Sequence, residues 1–477
     1  MAGGSRLGGH SGGSEQHAVS LSWYRESTRG ALVALLLSAA KVQNKDQVLS
    51  HIACLGIAGA VVFDSLKPLA LGGSTYLACP GGLLMLFLGA KHYRSAGSAH
   101  VSLRLMFTFL LYLLTVSLVG LFFTSGLNFV SGKSLESKVL TTTLVLTSWF
   151  GAVWFGASVA RQPQSIKRLF GWLLALLVAG WFLDVLGMIP RDASSWLHFY
   201  PGSDSRPRGF KAESSFLAIA VSASLAPLAI FVSKRRVLYV MFPLYLASMY
   251  FSTSRGGLWS SLCALVMYLV LRNLRTVGQN WPRYLAIACS LLAFALVAPR
   301  IMILYRVSSG SIANIGSDIT RTTWNQVAID ALSHYPCGLG FGFYYTRIRE
   351  LLVHAEIAVN IRGTRDFTYE LVGMIYGQSD RGLGPKTLLQ LWIVWGGWLG
   401  GCAALLLLAS VVDRALRLDN GLHGAATLLV LSTVLGLLSY HSGILTYETG
   451  LALGAILGFT PSRANTVEEP KPSTQRA

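Results

Sequence analysis

The chain has 477 residues, of which 53% are apolar and only 13% charged, about half the charged share of a soluble domain. So little charge cannot coat a water-facing surface of this size. That excludes an ordinary soluble enzyme, a disordered tail protein and a fibrous repeat, and with a mean hydropathy of +0.52 it points to a protein embedded in lipid. The net charge is +18, from 39 Lys and Arg against 21 Asp and Glu; it is either the cytoplasmic excess common in membrane proteins or the mark of a site for an anionic substrate.

In chain order, residues 1–20 are rich in Gly, Ser and His and read as a disordered start. The apolar stretch Ala31 to Ala40 follows Arg25 and Arg29. It is too short to span, and is expected to lie in the interface as an amphipathic helix rather than to be a signal-peptide core. Twelve apolar spans follow, over 50–66, 74–90, 101–124, 138–160, 168–189, 213–233, 236–251, 256–272, 284–303, 387–411, 423–440 and 443–459. The expected fold is therefore all-α and polytopic, with about twelve transmembrane helices. Residues 1–49 form a cytoplasmic N-terminal segment, 50–303 hold spans one to nine, 304–386 make a large outer loop, 387–460 hold spans ten to twelve, and 461–477 are a cytoplasmic tail.

The cations test this order. With the N-terminus in the cytoplasm, inner loops and their flanks hold Lys91 and Arg94, then Arg161, Lys167 and Arg168, then Lys234, Arg235 and Arg236, then Arg272, Arg275 and Arg283, then Arg414 and Arg417. The short outer loops carry little beyond Lys67, Lys133 and Lys138. This alternation follows the positive-inside rule and puts both termini in the cytoplasm.

Two outer segments break it. Residues 190–212 carry Arg191, Arg206, Arg208 and Lys211, and residues 304–386 carry Arg306, Arg321, Arg347, Arg349, Arg362, Arg365, Arg381 and Lys386. In this topology 17 of the 39 cations fall outside, 12 of them Arg. Insertion rules do not explain that excess, whereas Arg forks onto two phosphate oxygens at once.

Six cysteines show no CxxC pair, and there is no HExxH, so neither a zinc site nor a disulfide framework is indicated. Three other clusters carry the chemistry. The first runs Arg206-Pro-Arg208-Gly209-Phe-Lys-Ala-Glu213-Ser-Ser, cations beside a helix start with an acid in its first turn. The second is Ser254-Arg255-Gly256 at another outer helix end. The third is Arg321-Thr-Thr-Trp324 followed by Pro336-Cys-Gly338-Leu-Gly340, whose glycines either open backbone N–H groups to an anion or form a flexible turn.

In that order and at those positions, the clusters resemble the bacterial O-antigen polymerases and O-antigen ligases (Wzy and WaaL types), polytopic proteins of GT-C-like architecture. Arg206, Gly209, Glu213 and Ser215 match an Arg-x-x-Gly-x-x-x-Glu-x-Ser segment, and Ser254, Arg255 and Gly256 match a Ser-Arg-Gly. Arg321, Trp324, Pro336, Gly338 and Gly340 follow a loop pattern with one residue fewer between Pro and Gly. The His-Asn that the family often places before the next span is replaced by Pro385-Lys386, which together with Glu213 favours polymerase over ligase.

The resemblance implies a glycosyltransferase of the bacterial inner membrane. It would polymerise undecaprenyl-diphosphate-linked repeat units at the periplasmic face into O-antigen or exopolysaccharide, or, as a ligase, transfer the glycan to lipid A core. Neither metal nor other cofactor is implied, and no nucleic acid. Its partners are the lipid-linked glycan and membrane lipid, with room for other polysaccharide-assembly proteins. Arg206, Arg208, Arg255 and Arg321 would hold the diphosphate; Glu213 would be the general base, with His354 and Glu356 as the next candidates. A twelve-span transporter is the more distant alternative, with Asp184 and Glu448 as its intramembrane acids.

Overall fold

The computed structural model describes residues 45–64, 66, 80–97, 101–124, 134–190, 207, 209–211, 214–231, single positions between 241 and 250, and residues 255–275, 281–308, 315–359, 385, 387–418, 424–439 and 446–459. Among them there are helices and turns and no strand. The helices are α1 (Lys45–Val62), α2 (Pro80–Gly97), α3 (Val101–Thr124), α4 (Leu135–Val159), α5 (Pro163–Val185), α6 (Ser214–Phe231), α7 (Arg255–Leu271), α8 (Trp281–Ser308), α9 (Ile315–His334), α10 (Gly340–Val359), α11 (Leu388–Leu418), α12 (Gly424–Ser439) and α13 (Tyr447–Gly458). The chain divides into two compact units, residues 1–53 and 54–477. In the first, the described residues are the opening turns of α1; everything below concerns the second.

Among the described residues, five helices are long and apolar enough to cross a membrane: α3, α4, α5, α8 (over Trp281–Ala298) and α11. Their outward surfaces agree. On α3, Ser102, Met106, Phe109, Leu113, Ser117, Gly120 and Thr124 recur every three or four residues on the buried face, while Leu111, Leu118, Phe122 and Phe123 stand exposed on the other. Large apolar side chains turned outward along a whole helix suit lipid, not water. The architecture is that of an α-helical membrane protein.

Helix ends depart from the hydropathy windows for local reasons. The window 74–90 becomes α2 (Pro80–Gly97): Pro80 suits a first helical position, and Arg94 suits the negative end of the helix dipole. Helix α11 runs past Arg414 and Arg417 because Asp413 meets Arg417 Nε at 2.8 Å and Arg283 Nε at 2.6 Å. The stretch Ala31 to Ala40 lies outside the described residues, and the window 236–251 is described only at single positions.

Packing inside the bundle uses small residues. Gly450, Gly454 and Gly458 recur every four residues on α13 and meet Trp149, Val153 and Ala157, which recur every four on α4. A Cβ on Gly454 would stand 1.9 Å from the Val153 carbonyl oxygen, so the backbones touch. That is how helices associate where no hydrophobic force separates protein from solvent. The other side of α4 meets α2 the same way, through Gly151 and Gly89. Trp149, Phe150, Phe109 and Trp392 fill the space between α3, α4 and α11, with ring centroids 4.8 to 6.0 Å apart.

The segment expected to be a periplasmic loop over 304–386 contains more structure than that. Helix α8 continues to Ser308, and α9 and α10 form a helical hairpin. Its tip meets α3 and α11 well inside those helices rather than at their ends. Tyr112 Oη donates to the Cys337 carbonyl, and Phe341 N donates to Ser117 Oγ at 2.9 Å. Helix α11 is kinked at Gly397 (φ 58°, ψ −141°), a backbone region open essentially to glycine alone. The kink breaks the helical bond from Trp398 N to Val394 O. Both orphaned groups are taken up by the tip: Trp398 N donates to Pro336 O at 3.0 Å, and Val394 O accepts from Leu339 N at 3.0 Å.

Candidate functional site

The first cluster is held by buried acids. Between α5 and α6 the chain turns at Gly209 (φ +59°). Gly209 N donates to Asp184 Oδ2 at 2.8 Å, and Asp184 is fully buried in the last turn of α5. A carboxylate at the negative end of a helix is unfavourable without a donor facing it, and Gly209 supplies one. The approach is close: a Cβ on Gly209 would lie 3.0 Å from Gly180 C, and one on Gly180 would collide with the Phe210 ring. Phe210 packs edge-on to Phe63, beside Leu66, Leu183 and Ile189.

Two residues on, Lys211 turns inward with 2% of its side chain exposed. Its ammonium lies 2.5 Å from Glu448 Oε1 and 2.9 Å from Asp64 Oδ1, and donates to Val61 O at 3.1 Å. Burial pulls the Lys211 pKa down, but Asp64 and Glu448 outweigh it and hold the ammonium above the ordinary lysine range. One short segment thus ties together the end of α1, the end of α5, the start of α6 and the first turn of α13.

The third cluster sits elsewhere. Arg321 and Trp324 lie on α9; Trp324 is fully buried and Arg321 half-buried. Gln390, in the first turn of α11, donates from Nε2 to the Arg321 carbonyl at 3.2 Å and to Asn325 Oδ1 at 2.6 Å, and Asn325 Nδ2 donates to Ala295 O of α8 at 3.3 Å. Arg321 is therefore fixed at the start of α11. The glycine run after Pro336 is hydrogen-bonded and closely packed. Gly338 N donates to Tyr335 O, Leu339 N to Val394 O and Phe341 N to Ser117 Oγ. Cβ atoms on Gly338 and Gly340 would meet the backbones of α11 and α3 at 2.4 Å and 2.8 Å. These glycines exist for close backbone approach.

Of the expected site residues, Arg206, Arg208 and Glu213 lie outside the described residues, although Gly209 and Lys211 between them are described. Arg255 opens α7 and Glu356 lies on α10, the side chains of both being outside the described residues. His354 is exposed on α10, beyond the Arg347–Glu350 pair (3.0 Å). Arg321 belongs with α8, α9 and α11, and the Gly209–Lys211 segment with α1, α5, α6 and α13. Asp184 and Glu448, the acids a transporter would need for ion coupling, are engaged by Gly209 and Lys211. No group of three or more His, Cys, Asp or Glu among the described residues could hold a metal ion.

Lys211 was the residue missed by sequence reading, which grouped it with the phosphate-facing arginines. Two signals were available: it is a lysine in an outer set that is mostly arginine, and Glu448 stands without a cation nearby in an apolar helix. Fold and site together define an α-helical membrane protein with a rigidly anchored basic segment. No family model matches the chain, and no curated protein or solved structure is similar to it.

Proposed function

We propose that this chain is a glycosyltransferase of the bacterial inner membrane, with about twelve spans and both termini in the cytoplasm. It lengthens undecaprenyl-diphosphate-linked glycans at the periplasmic face. The observation that carries the reading is the anchoring of Gly209 and Lys211 by Asp184, Asp64 and Glu448. This fixes the backbone just after Arg208 and just ahead of Glu213. A site that stabilises a departing diphosphate needs its donors placed before the reaction begins, and buried ion pairs are a costly device to spend on an idle loop.

In this reaction an acceptor sugar hydroxyl attacks the anomeric carbon. The bond from that carbon to the diphosphate oxygen breaks, and the lipid diphosphate leaves with the electron pair. Arg206, Arg208, Arg255 and Arg321 offset the charge that develops on it. Glu213 takes the hydroxyl proton as general base, with His354 and Glu356 as the next candidates. The donor carries its own leaving group, so no nucleotide is consumed.

The test is incubation of the purified protein, in vesicles, with lipid-linked repeat units. A ladder of longer lipid-linked chains is expected. Single transfer to lipid A core makes it a ligase, and solute uptake without elongation makes it a transporter. Near-normal turnover in both Arg206→Ala and Arg255→Ala removes the diphosphate assignment.

A further inference from the structure

The α9–α10 hairpin reaches unusual depth for a segment between spans. Ser117 lies seven residues before Thr124, the end of α3, and Tyr112 twelve. Val394 and Trp398 lie six and ten residues after Leu388, the start of α11. At 1.5 Å per residue the tip sits about 9 to 18 Å from those helix ends. Helix α10 then climbs back along the same helices: Gly342 packs on Gly120, and Tyr345 Oη bonds Thr142 Oγ1 at 2.7 Å, seven residues from the start of α4. Its sequence agrees. The residues from Gly340 to Thr346 are uncharged, and charge begins at Arg347. Because α3, α4 and α11 are long and apolar enough to cross a membrane, a tip about 9 to 18 Å inside their ends lies near the middle of a hydrocarbon layer about 30 Å thick.

Helix α9 has two faces at this depth. Ile319, Thr323, Trp324, Val327, Ala328 and Ala331 are buried. The opposite face carries Thr322, Gln326, Asp330, Ser333 and His334, half-buried or exposed, with Ile329 as its exposed apolar member. Gln326 Nε2 donates to Asp330 Oδ1 at 2.8 Å, and His334 Nδ1 lies 2.9 Å from the Asp330 carbonyl oxygen. Pro336 and Cys337 at the tip are exposed. A polar stripe thus runs from the level of Arg321 down to a turn of non-helical backbone. Polar side chains and irregular backbone at membrane depth do not face lipid; they are buried in protein or line water. Ser333, His334, Pro336 and Cys337 are exposed, which leaves the second for this stretch.

We propose that the polar face of α9 and the 335–339 turn line a water-filled recess that opens on the side of Thr124 and Leu388 and reaches the middle of the membrane. Residues 304–386 are then not wholly outside it, since 315–359 re-enter. The recess offers a hydrated path for a hydrophilic solute or the polar part of a lipid, flanked at its mouth by Arg321. It does not depend on the glycan reading, because a transporter or a transferase could equally use it.

Native cysteines provide the first test. Cys337 sits at the tip, whereas Cys289 and Cys402 are exposed on the spanning helices α8 and α11. The full chain in sealed vesicles is treated with a membrane-impermeant cationic methanethiosulfonate, digested, and read by mass spectrometry, with Cys337→Ala to confirm the assignment. Cys337 is expected to react at least tenfold faster than Cys289 and Cys402, and from one side of the vesicle only. A thiolate forms in water and not in hydrocarbon, which is the basis of the difference. If Cys337 stays silent until the protein is denatured, or reacts no faster than the other two, the tip faces lipid or protein and there is no recess. As a second measurement, Ser333→Cys should react and Ala328→Cys should not; equal reactivity of the two overturns the proposal as well.

Discussion

Replacing Lys211 by Met separates a functional anchor from an ornament. The side chain is 2% exposed and its Glu448 partner fully buried, 2.5 Å apart. Removing the ammonium leaves the Glu448 carboxylate uncompensated in a low dielectric, a change that costs about 3–5 kcal/mol when one member of a buried pair is lost. At 1.4 kcal/mol per decade this is a shift of roughly two to three and a half decades in the unfolding equilibrium. The double variant Lys211→Met with Glu448→Met is expected to recover at least about 2 kcal/mol, because an apolar pair of similar volume removes both desolvation penalties. Asp64 is 13% exposed and can rehydrate by a small turn of its side chain. Unfolding is followed by near-ultraviolet circular dichroism in mixed micelles of increasing denaturing detergent. Turnover on lipid-linked substrate is measured alongside. The double variant should be stable yet slow, since its folded bundle no longer clamps the backbone between Arg208 and Glu213. A single variant within 1 kcal/mol of the parent, or a double no more stable than the single, would refute the reasoning.

Four further outcomes are expected. Gly397→Ala forces a Cβ to within 2.0 Å of Pro336 O in a backbone region that costs about 1–3 kcal/mol for other residues; with the two tip hydrogen bonds also lost, thermal unfolding should show a destabilisation of about 3 kcal/mol or more. Gly454→Ala, whose Cβ would stand 1.9 Å from Val153 O, should destabilise by about 1–3 kcal/mol in the same assay. Gly171→Ala on α5, with nothing within 4 Å of the new carbon, should be neutral or stabilising by up to about 1 kcal/mol. The Lys211 contribution should be constant across neutral and mildly alkaline pH. A cation whose folded pKa is raised stabilises fully below its ordinary value of 10.5 and loses that contribution as pH climbs above it, so the gap between the parent and Lys211→Met should narrow only above roughly pH 10.

Much of the architecture was legible in the sequence because lipid imposes it. Apart from α9 and α10, the helices coincide with runs of apolar residues, and where their ends differ the cause is local, as with Pro80 at the start of α2 or Asp413 neutralising Arg283 and Arg417 inside α11. The glycine run after Pro336 was visible, but its purpose was not. A sequence shows that backbone can come close there; it does not show what comes close. The partner is a kink nearly sixty residues later, at Gly397, whose broken hydrogen bond leaves one donor and one acceptor for the tip.

What the sequence determined by itself is that the protein belongs in lipid, that it is built of helices, and that arginine gathers on one proposed face, since composition, hydropathy and charge alternation depend only on local residues and the solvent they can tolerate. Tertiary structure alone decided that Lys211 is an anchor and not a phosphate ligand. Its carboxylates lie far off in the chain, at Asp64 and Glu448, and pairing across such separations is a property of how helices pack, which no local pattern encodes. The same holds for the α9–α10 hairpin. Its low apolar content reads as an excursion into water, whereas its tip is bonded well inside two helices long and apolar enough to span, because hydrogen-bond satisfaction, and not hydropathy, sets where it can rest.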